Sequence, residues 1–311
     1  MKFLRKLVAS TVVILLLFNS MIIALASGEP TDEVIDELWG VPILAHGASL
    51  DEDQLAEVHA ILGLTNRTFD SVYVTGNDVV RFLGIGNPDT RMYSSALITR
   101  HSEDTGIEVS ILTPQNITRV TEVQYANAMI TAGVTDALVE VAAPFPVTGE
   151  AALTGIYKAF YERGVILDDD RIAVAQEQLM VTSGISNYHD DNDDFNSYFL
   201  DQAVIEIQAE LANLYDRTGE LATQAEILEL TRIALENNDL EDILTDEQLQ
   251  QLVGFAESFQ LTDAIHSDEF RDQLSNLGDR VGDLVDDLNL DTGLIASWWN
   301  RFINWLRNLF S

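Results

Sequence analysis

Four polar side chains follow two apolar segments that are predicted to be neighbouring strands. They are Thr113, Asn116, Thr118 and Thr148. In a parallel α/β unit, ligands bind beyond the carboxyl ends of the strands, where helix N-termini present free backbone N–H groups. Hydroxyls and amides at such an edge suit a carboxylate, a phosphate or a sugar. The alternative is structural, because a threonine in this position can also cap the helix that follows it.

A run of acids and amides forms a second candidate site. Its oxygen-bearing residues occupy alternate positions of a calcium-binding loop, with a further acid at the twelfth place. The predicted ligands are Asp190, Asn192, Asp194, Asn196 and Asp201. Phe195 stands where such a loop needs glycine, and the last ligand is Asp instead of a bidentate Glu. Two alternatives follow, calcium binding and a solvated acidic loop, and no other cofactor is expected.

Signals for nucleophilic or zinc-dependent catalysis are weak. The chain has no cysteine and no G-x-S-x-G turn. The five histidines are scattered, with no H-E-x-x-H pair: His46, His59, His101, His189 and His266. Carboxylates are too numerous for one acid/base pair to stand out. No catalytic residue is assigned, and the question of enzymatic activity stays open, with a non-enzymatic role favoured.

The strand-end site depends on a strand–helix–strand–helix unit. Alternating apolar residues predict the first strand, and Gly133 predicts the end of the first helix. Thr118 and Thr148 are the expected N-caps of the two helices. The predicted elements are a strand (107–112), a helix (118–132), a strand (134–143) and a helix that ends before Gly164. The site requires the two strands to be adjacent, since only then do their ends meet.

Other segments carry similar signals. Short helices are predicted over 31–38 and 51–62, the second capped by Ser49, and strands over 71–75 and 93–99. The stretch 167–290 is predicted to be helical, with capping boxes at Thr223…Glu226 and Thr245…Gln248. An apolar seam in steps of four and three predicts packing within the chain or self-association. It consists of Phe270, Leu274, Leu277, Val281, Leu284 and Leu288.

The first 26 residues have the pattern of a secretory signal peptide. Three cations precede an apolar stretch, and Ala24-Leu25-Ala26 supplies the small residues of a cleavage site. Cleavage is predicted between Ala26 and Ser27. An uncleaved membrane anchor is the alternative, because about 20 apolar residues can span a bilayer. The expected location is extracellular, secreted or attached to the outer face of the membrane or cell wall. The lack of cysteine is typical of proteins exported by Gram-positive bacteria.

The charge balance restricts the partners. The chain has 51 acidic and 17 basic residues, a net charge of −34, and Lys158 is its one lysine beyond residue 6. Such a surface repels polyanions at long range, which excludes nucleic acid as a partner. A salt-rich habitat and simple solubility both explain the acidity.

The C-terminal segment 292–311 contrasts with the rest because it contains no acid. At helical spacing its apolar residues form one face, and arginines and asparagines form the other. The residues assigned to a membrane interface are Trp298, Trp299, Phe302, Trp305, Leu306 and Phe310. Indole rings beside arginines are typical of helices that lie at headgroup depth. Docking on the protein's own core and binding to another partner are the alternatives.

The stretch 94–164 carries a dense set of short motifs. They include Thr113-Pro114-Gln115-Asn116-Ile117-Thr118, Gln124-Tyr125-Ala126-Asn127-Ala128 and Val147-Thr148-Gly149-Glu150-Ala151-Ala152-Leu153-Thr154-Gly155. In these motifs the chain resembles the core of the YpuA-like secreted proteins of Gram-positive bacteria, a domain-of-unknown-function family (DUF1002). The plan of the mature chain is similar as well. The resemblance implies a secreted protein and supplies no catalytic residues.

These features predict an α+β protein. Its expected parts are a signal peptide (1–26), an α/β-type domain with a small mixed sheet (27–165), an all-α helical domain (166–290) and an amphipathic C-terminal helix (291–311). The predicted function is that of a secreted or envelope-associated, non-enzymatic binding or structural module. Its expected partners are a cell-envelope component or membrane surface for the C-terminal helix and an unknown ligand. The alternative is an extracellular hydrolase with its site at the Thr113–Thr148 edge.

Overall fold

The structure is a computed structural model that describes residues 38–83, 86–102 and 105–287. By its backbone contacts the chain divides into Met1–Ile35 and Asp36–Ser311, and every described residue belongs to the second unit. The predicted signal peptide, its cleavage site at Ala26 and Ser27, and the six residues assigned to a membrane interface lie outside the described residues.

Five short strands form one mixed sheet in the first part of the described chain. They are β1 (Ile43–Gly47), β2 (Asp70–Val74), β3 (Ser95–Arg100), β4 (Ile107–Ile111) and β5 (Ala137–Ala142), in the spatial order β2-β1-β3-β5-β4. β1 and β2 are parallel, β4 and β5 are parallel, and β3 runs antiparallel to both of its neighbours, β1 and β5. This small mixed sheet, together with the helices that follow, confirms the predicted α+β class.

Nine α-helices are found in the described part of the chain. They are α1 (Glu52–Ile61), α2 (Gly76–Leu83), α3 (Glu122–Thr131), α4 (Ala151–Glu162), α5 (Asp169–Tyr188), α6 (Ser197–Thr218), α7 (Gln224–Asn237), α8 (Asp246–Phe259) and α9 (Asp268–Asp287). A 3-10 helix, Asp263–His266, precedes α9. The predicted boundary at residue 165 falls between α4 and α5 and stays a prediction.

The sheet is covered on both faces. Leu44 and Leu97 point to one face, where they pack with Val58 of α1. The alternate residues Ile43 and Ile98 point to the other face and join a larger core. That core continues without a break into the helices, because α3 packs on β4 and also on α5 and α9. The helix α3 therefore connects the sheet to the helical part.

The predicted strand–helix–strand–helix unit is confirmed as β4-α3-β5-α4, but its helices begin later than expected. Thr121 is the N-cap of α3, where the sequence predicts Thr118. Glu150 occupies the N-cap position of α4 without a side-chain bond, where the sequence predicts Thr148. Asp51 replaces Ser49 as the N-cap of α1. In α1 and α3 the N-cap is the residue that forms a capping box with a glutamine three positions further along the chain.

The helical part follows its sequence signals closely. Both predicted capping boxes are present, with Thr223 at the start of α7 and Thr245 at the start of α8. The first four seam residues, Phe270, Leu274, Leu277 and Val281, are 0–3% exposed and belong to the large core. This part of the seam therefore packs within the chain, and its last residue, Leu288, lies outside the described residues. None of the described helices is both long enough and apolar enough to cross a bilayer.

Candidate functional site

The ends of β4 and β5 lie side by side, as the strand-end site requires. The two strands pair in register from Ile107↔Ala137 to Ile111↔Val141. Beyond the last pair, the hydroxyl oxygen of Thr113 accepts a hydrogen bond from the Ala143 backbone N–H at 2.9 Å. Asn116 donates from Nδ2 to the carbonyl oxygen of Ala143 at 2.7 Å. Two of the predicted site residues therefore bind the backbone of the neighbouring loop.

A second set of bonds extends this contact. Thr118 donates from both its backbone N–H and its hydroxyl to the carbonyl oxygen of Val147, each at 3.0 Å. Val147 in turn donates to the carbonyl oxygen of Asn116 at 2.8 Å. An isolated parallel bridge, Ile117↔Val147, results. We call Thr113, Asn116 and Thr118, with the backbone groups that they bind, the strand-end clamp.

The clamp is backed by a buried tyrosine. The Tyr125 hydroxyl donates to the carbonyl oxygen of Gly149 at 2.5 Å. Burial, and after it the charge of Glu150, raise the pKa of Tyr125, so the phenol stays a donor. Gly149 has φ +99°, and a Cβ there would lie 2.7 Å from both Ile117 Cγ2 and the Tyr125 oxygen. Only glycine fits this turn, which fixes the second loop against the first.

Thr148 lies apart from the clamp. Its hydroxyl donates to Oε2 of Glu150 in the same loop at 3.3 Å, and its side chain is half-buried. The two strand ends are adjacent, as the predicted site requires, and Thr113, Asn116 and Thr118 contact the loop that follows β5. Because those contacts join one loop to the other, they support a structural role. The ligand role predicted for the edge stays a prediction.

Three of the five predicted calcium ligands use their side chains in hydrogen bonds within the protein, and the other two, Asp190 and Asp194, are exposed. Asn192 accepts from the Asp194 N–H at 3.1 Å, and Asn196 caps α6 by accepting from the Tyr198 N–H at 2.9 Å. Asp201 is 2% exposed and accepts from the Thr121 hydroxyl at 2.7 Å. Over residues 38–83, 86–102 and 105–287, no group of three or more histidines or acids is placed to hold a metal ion.

Two carboxyl groups inside the helical part have shifted pKa values. Burial raises the pKa of Asp201 to about 7, against the opposing effect of hydrogen bonds from Thr121 and Gln124. Burial likewise raises the pKa of Glu206 to about 7, although Asn237 and Asn238 donate to its oxygens. Both residues lie on α6, and neither was singled out for this property from the sequence.

A polar seam joins α3, α5 and α6 through the core. Thr131 donates to Oε1 of Gln178 at 2.7 Å and accepts from Nε2 of Gln208 at 2.9 Å. All three side chains are at most 2% exposed. About two helical turns away from Thr131 on α3, Gln124 donates to the Ser186 hydroxyl at 3.3 Å. The seam fixes the three helices relative to one another, because a buried amide costs free energy in any arrangement that leaves it unpaired.

Two open cavities lie away from the strand-end clamp. One, of about 420 Å³, lies between β4, α3 and α9, and we call it the β4-edge groove. It is lined by Ile107, Glu108, Val109, Ser110, Glu122, Val123, Ala126, Leu277, Arg280 and Val281. The other, of about 700 Å³, lies between α5 and the start of α8, where Met180 and Tyr188 are exposed. The sequence marked Leu277 and Val281 as buried, but no local pattern could join them to β4.

A mixed sheet with clamped strand-end loops, continued by a helical part around one core, defines the chain as an α+β protein. The model of a family described as "Protein of unknown function (DUF1002)" matches residues 46–277, so the chain belongs to this family. It is also 30% identical over 262 residues to the uncharacterized protein YpuA of Bacillus subtilis (strain 168), and the aligned part covers 83% of this chain and 84% of YpuA. No solved structure matches the chain. The resemblance expected from the motifs is thereby confirmed.

Proposed function

We propose that this protein is an exported, non-enzymatic binding or structural module of the cell envelope, held at a membrane surface by residues 292–311. The observation that carries the proposal is the separation of charge along the chain. The whole chain has 51 acidic residues, and not one of them lies in this last segment. Segments that approach a membrane avoid acids, because anionic headgroups repel them and burial penalises them.

The composition of the segment fits the interface more closely than a simple apolar tail does. It carries three tryptophans, Trp298, Trp299 and Trp305, and two arginines, Arg301 and Arg307. Indole rings favour headgroup depth, and arginines pair with lipid phosphates. The net charge of −34 opposes contact between the rest of the chain and an anionic membrane. Attachment through this one segment is therefore expected to be reversible and sensitive to salt.

Export is supported by the first 26 residues, whose cations, apolar stretch and Ala24-Leu25-Ala26 motif are those of a secretory signal. A binding or structural role is supported by the strand-end clamp, since Thr113, Asn116 and Thr118 form hydrogen bonds to the neighbouring loop. A hydrolase at this edge would need an acid or histidine within hydrogen-bond reach of a bound water. Glu150, an acid of this loop, accepts a hydrogen bond from the Thr148 hydroxyl.

Vesicle flotation tests the proposal. The chain from Ser27 onward is mixed with vesicles of phosphatidylcholine and phosphatidylglycerol and compared with a variant that carries Trp298→Ser, Trp299→Ser and Trp305→Ser. The unsubstituted chain should float with the vesicles. The variant should partition at least tenfold less, because burying one large apolar side chain contributes about 1.5–3 kcal/mol and about 1.4 kcal/mol is a factor of ten.

The control is Tyr188→Ser, which removes an aromatic ring that is 69% exposed on α5. It should float like the unsubstituted chain. A second comparison, with vesicles of phosphatidylcholine alone, measures the electrostatic part of the attraction through Arg301 and Arg307. Equal flotation of the tryptophan variant and the unsubstituted chain would reject attachment through this segment.

A further inference from the structure

The larger of the two open cavities is a groove between α5 and α8. On the α5 side, Met180, Gly184 and Tyr188 follow one another at intervals of four residues. Residues at this spacing lie on one face of a helix. Met180 is 41% exposed and Tyr188 is 69% exposed, and Gly184 is exposed as well. We call this cavity of about 700 Å³ the α5–α8 groove.

The groove extends over two helical turns and is open in the middle. Met180 and Tyr188 are eight residues apart, which corresponds to about 12 Å along a helix. A Cβ on Gly184, midway between them, would meet no neighbouring group within 4 Å. The apolar side chains of Val181 and Ile185 also line the cavity. The groove therefore has an apolar floor and room for a large side chain above Gly184.

The rim of the groove is acidic. Asp246 and Glu247, at the start of α8, line the cavity and are exposed. The loop 190–194 follows shortly after the end of α5, and its four aspartates are exposed. His189 holds this loop beside the groove, since its Nε2 lies 3.0 Å from Oε1 of Gln248, which lines the cavity. No lysine or arginine is among the described residues that line it. An apolar floor with an acidic rim fits a helix that carries cations beside an apolar face.

Residues 292–311 of the chain have this chemistry. The segment contains no acid, and its two cations are Arg301 and Arg307. Three aromatic residues are spaced by four and three positions, so that on a helix they share one face over about 10 Å. They are Trp298, Phe302 and Trp305. The length of this aromatic face matches the length of the groove.

The segment is within reach of the groove. Val281 of α9 and Glu122, the first residue of α3, line the same cavity, so the last turns of α9 lie near the start of α3. Gln124, also in the first turn of α3, donates to Ser186 in the last turn of α5. α9 thus approaches the end of α5 at which the groove lies. The ten residues 288–297 can span about 33 Å, whereas two steps between packed helices cover about 20 Å.

We propose that the α5–α8 groove holds residues 292–311 of the same chain while no membrane is bound, with a tryptophan over Gly184 and Arg301 beside the acidic rim. The inference rests on the membrane attachment proposed above and names the regulation of that segment. The groove covers apolar side chains that water would otherwise surround, and a membrane competes for the same face. Docking on the protein and binding to a membrane are then two states of one segment, and the docked fraction weakens membrane binding.

The absence of cysteine from the chain allows one spin label to be placed on the segment. Asn308→Cys is labelled with a nitroxide in the isotopically labelled chain from Ser27 onward, and amide NMR signals are recorded without vesicles. The reduced label serves as the reference. The label should broaden the amides of Gly184 and Gln251, which line the groove. It should leave the amide of Ala56 unchanged, because α1 packs on the other face of the sheet.

Two variants of the groove should reduce this broadening. Gly184→Gln fills the open space without meeting a neighbouring group at its Cβ, and it should abolish the broadening of the Gln251 amide. Glu247→Lys reverses one charge of the rim and should weaken the broadening. Ala56→Gln adds the same side chain as Gly184→Gln at an exposed position of α1 and should keep the broadening. Thermal unfolding of the three variants separates lost docking from lost folding.

Flotation at limiting lipid gives a second measurement. Gly184→Gln should reach half-maximal attachment at about threefold less lipid than the unsubstituted chain, because none of its segment is held in the groove. With lipid in excess the vesicles outcompete the groove. Variants that change it, including Tyr188→Ser, should then float like the unsubstituted chain.

Two results would overturn the proposal: amides of Gly184 and Gln251 that the label leaves unchanged, and a Gly184→Gln variant that keeps the broadening of Gln251. A mixture of spin-labelled chain at natural isotope abundance with isotopically labelled chain without the spin label tests for docking between copies. Broadening in this mixture would reject docking within one chain. These spectra are recorded without lipid, so the groove can fail this test while flotation succeeds, and the reverse is equally distinguishable.

Discussion

Lys158 on α4 forms an ion pair with Asp78 on α2, with 2.9 Å between Nζ and Oδ1. The same ammonium group donates to the carbonyl oxygen of Tyr73 at 2.8 Å and lies 5.0 Å from the centre of its ring. Tyr73 is in β2, which forms one edge of the sheet, while β4 forms the other. The Val74 carbonyl bonds on the side of β1, and since successive residues turn to opposite sides, the Tyr73 carbonyl points outward. Lysine at an edge strand hinders pairing with other chains. The chain's one lysine beyond residue 6 thus protects one edge, and Glu122 covers part of the other.

Replacing this lysine should destabilise the fold. The side chains of Lys158 and Asp78 are 15% and 12% exposed, so Lys158→Met leaves a largely buried carboxylate without its cation. We expect a loss of about 1–3 kcal/mol in the free energy of unfolding at pH 7, measured by urea titration. Arg232→Met on the exposed face of α7 is the control and should change it by less than about 0.5 kcal/mol.

The pH dependence of this loss has a definite sign. Burial raises the pKa of Asp78, but hydrogen bonds from Thr75 and Lys158 outweigh burial and lower it below its usual range. A carboxyl with a lowered folded-state pKa contributes stability that is present above its unfolded value, near 3.9, and is lost as the pH falls through the folded value. The difference between Lys158→Met and the unsubstituted chain should therefore shrink in acid. A difference that is constant down to pH 3 would contradict the ion pair.

The strand-end clamp predicts unequal effects for two threonines of one edge. Thr113→Val keeps the shape of a side chain that is 4% exposed but leaves the Ala143 N–H without its acceptor. We expect a loss of about 1–3 kcal/mol in the free energy of unfolding, the usual cost of an unsatisfied buried donor. Thr148→Val is the matched control, since its hydroxyl donates only within its own loop at 3.3 Å. Similar losses in the two variants would show that the clamp is not what stabilises this edge.

The order β4-α3-β5-α4 could be predicted because each of its elements carries a local signal. Strand alternation from Ile107 and the closing Gly133 mark the first two elements. The sequence predicts the start of α3 three residues too early, because Thr118 and Thr121 are both residue types that can cap a helix. Only Thr121 has a glutamine, Gln124, three positions on, and this capping box decides the start.

The sequence does not predict β1, and the reason is physical. It lies inside the sheet with helices on both faces, and Ile43, Leu44 and Ala45 are all at most 2% exposed. A strand buried on both faces has no alternation of apolar and polar residues, so the short apolar run Ile43-Leu44-Ala45 carries no period. α2 was missed as well. Its start is marked by Asp78 accepting from the Thr75 N–H at 2.7 Å, a local signal that sequence analysis could have used.

The features of the candidate site also include some that could be predicted from the sequence and some that could not. Convergence of Thr113 and Asn116 on the loop after β5 followed from topology alone, whereas the groups that they bind depend on distances that no local pattern encodes. Part of the polar seam could have been predicted, because Gln124 and Thr131 are seven positions apart and therefore lie on one face of α3. The β4-edge groove could not be predicted, because Arg280 is about 170 positions away from β4 along the chain.

Asp201 makes the stability of the protein depend on pH in the direction opposite to Asp78. Its folded-state pKa is raised to about 7 by burial, whereas an unfolded aspartate titrates near 3.9. The stability associated with the protonated carboxyl is therefore fully present below pH 3.9 and is lost as the pH rises through about 7, at up to about 1.4 kcal/mol per pH unit. Glu206, with a pKa raised to about 7, adds a contribution of the same sign.

Asp201→Asn should remove the part of this loss of stability at rising pH that Asp201 causes. The amide oxygen can still accept from the Thr121 hydroxyl, and the other carboxyl oxygen, Oδ1, has no hydrogen-bond partner to lose among the described residues. We expect equal free energies of unfolding for variant and unsubstituted chain near pH 4, and a gain of about 1–4 kcal/mol for the variant at pH 8, measured by urea titration. Asp194→Asn removes one exposed charge from the preceding loop and controls for net charge. The other titrating groups contribute equally to the variant and to the unsubstituted chain. A gain in the free energy of unfolding at pH 8 that is no larger than the gain at pH 4 would therefore show that Asp201 is ionised in the folded protein.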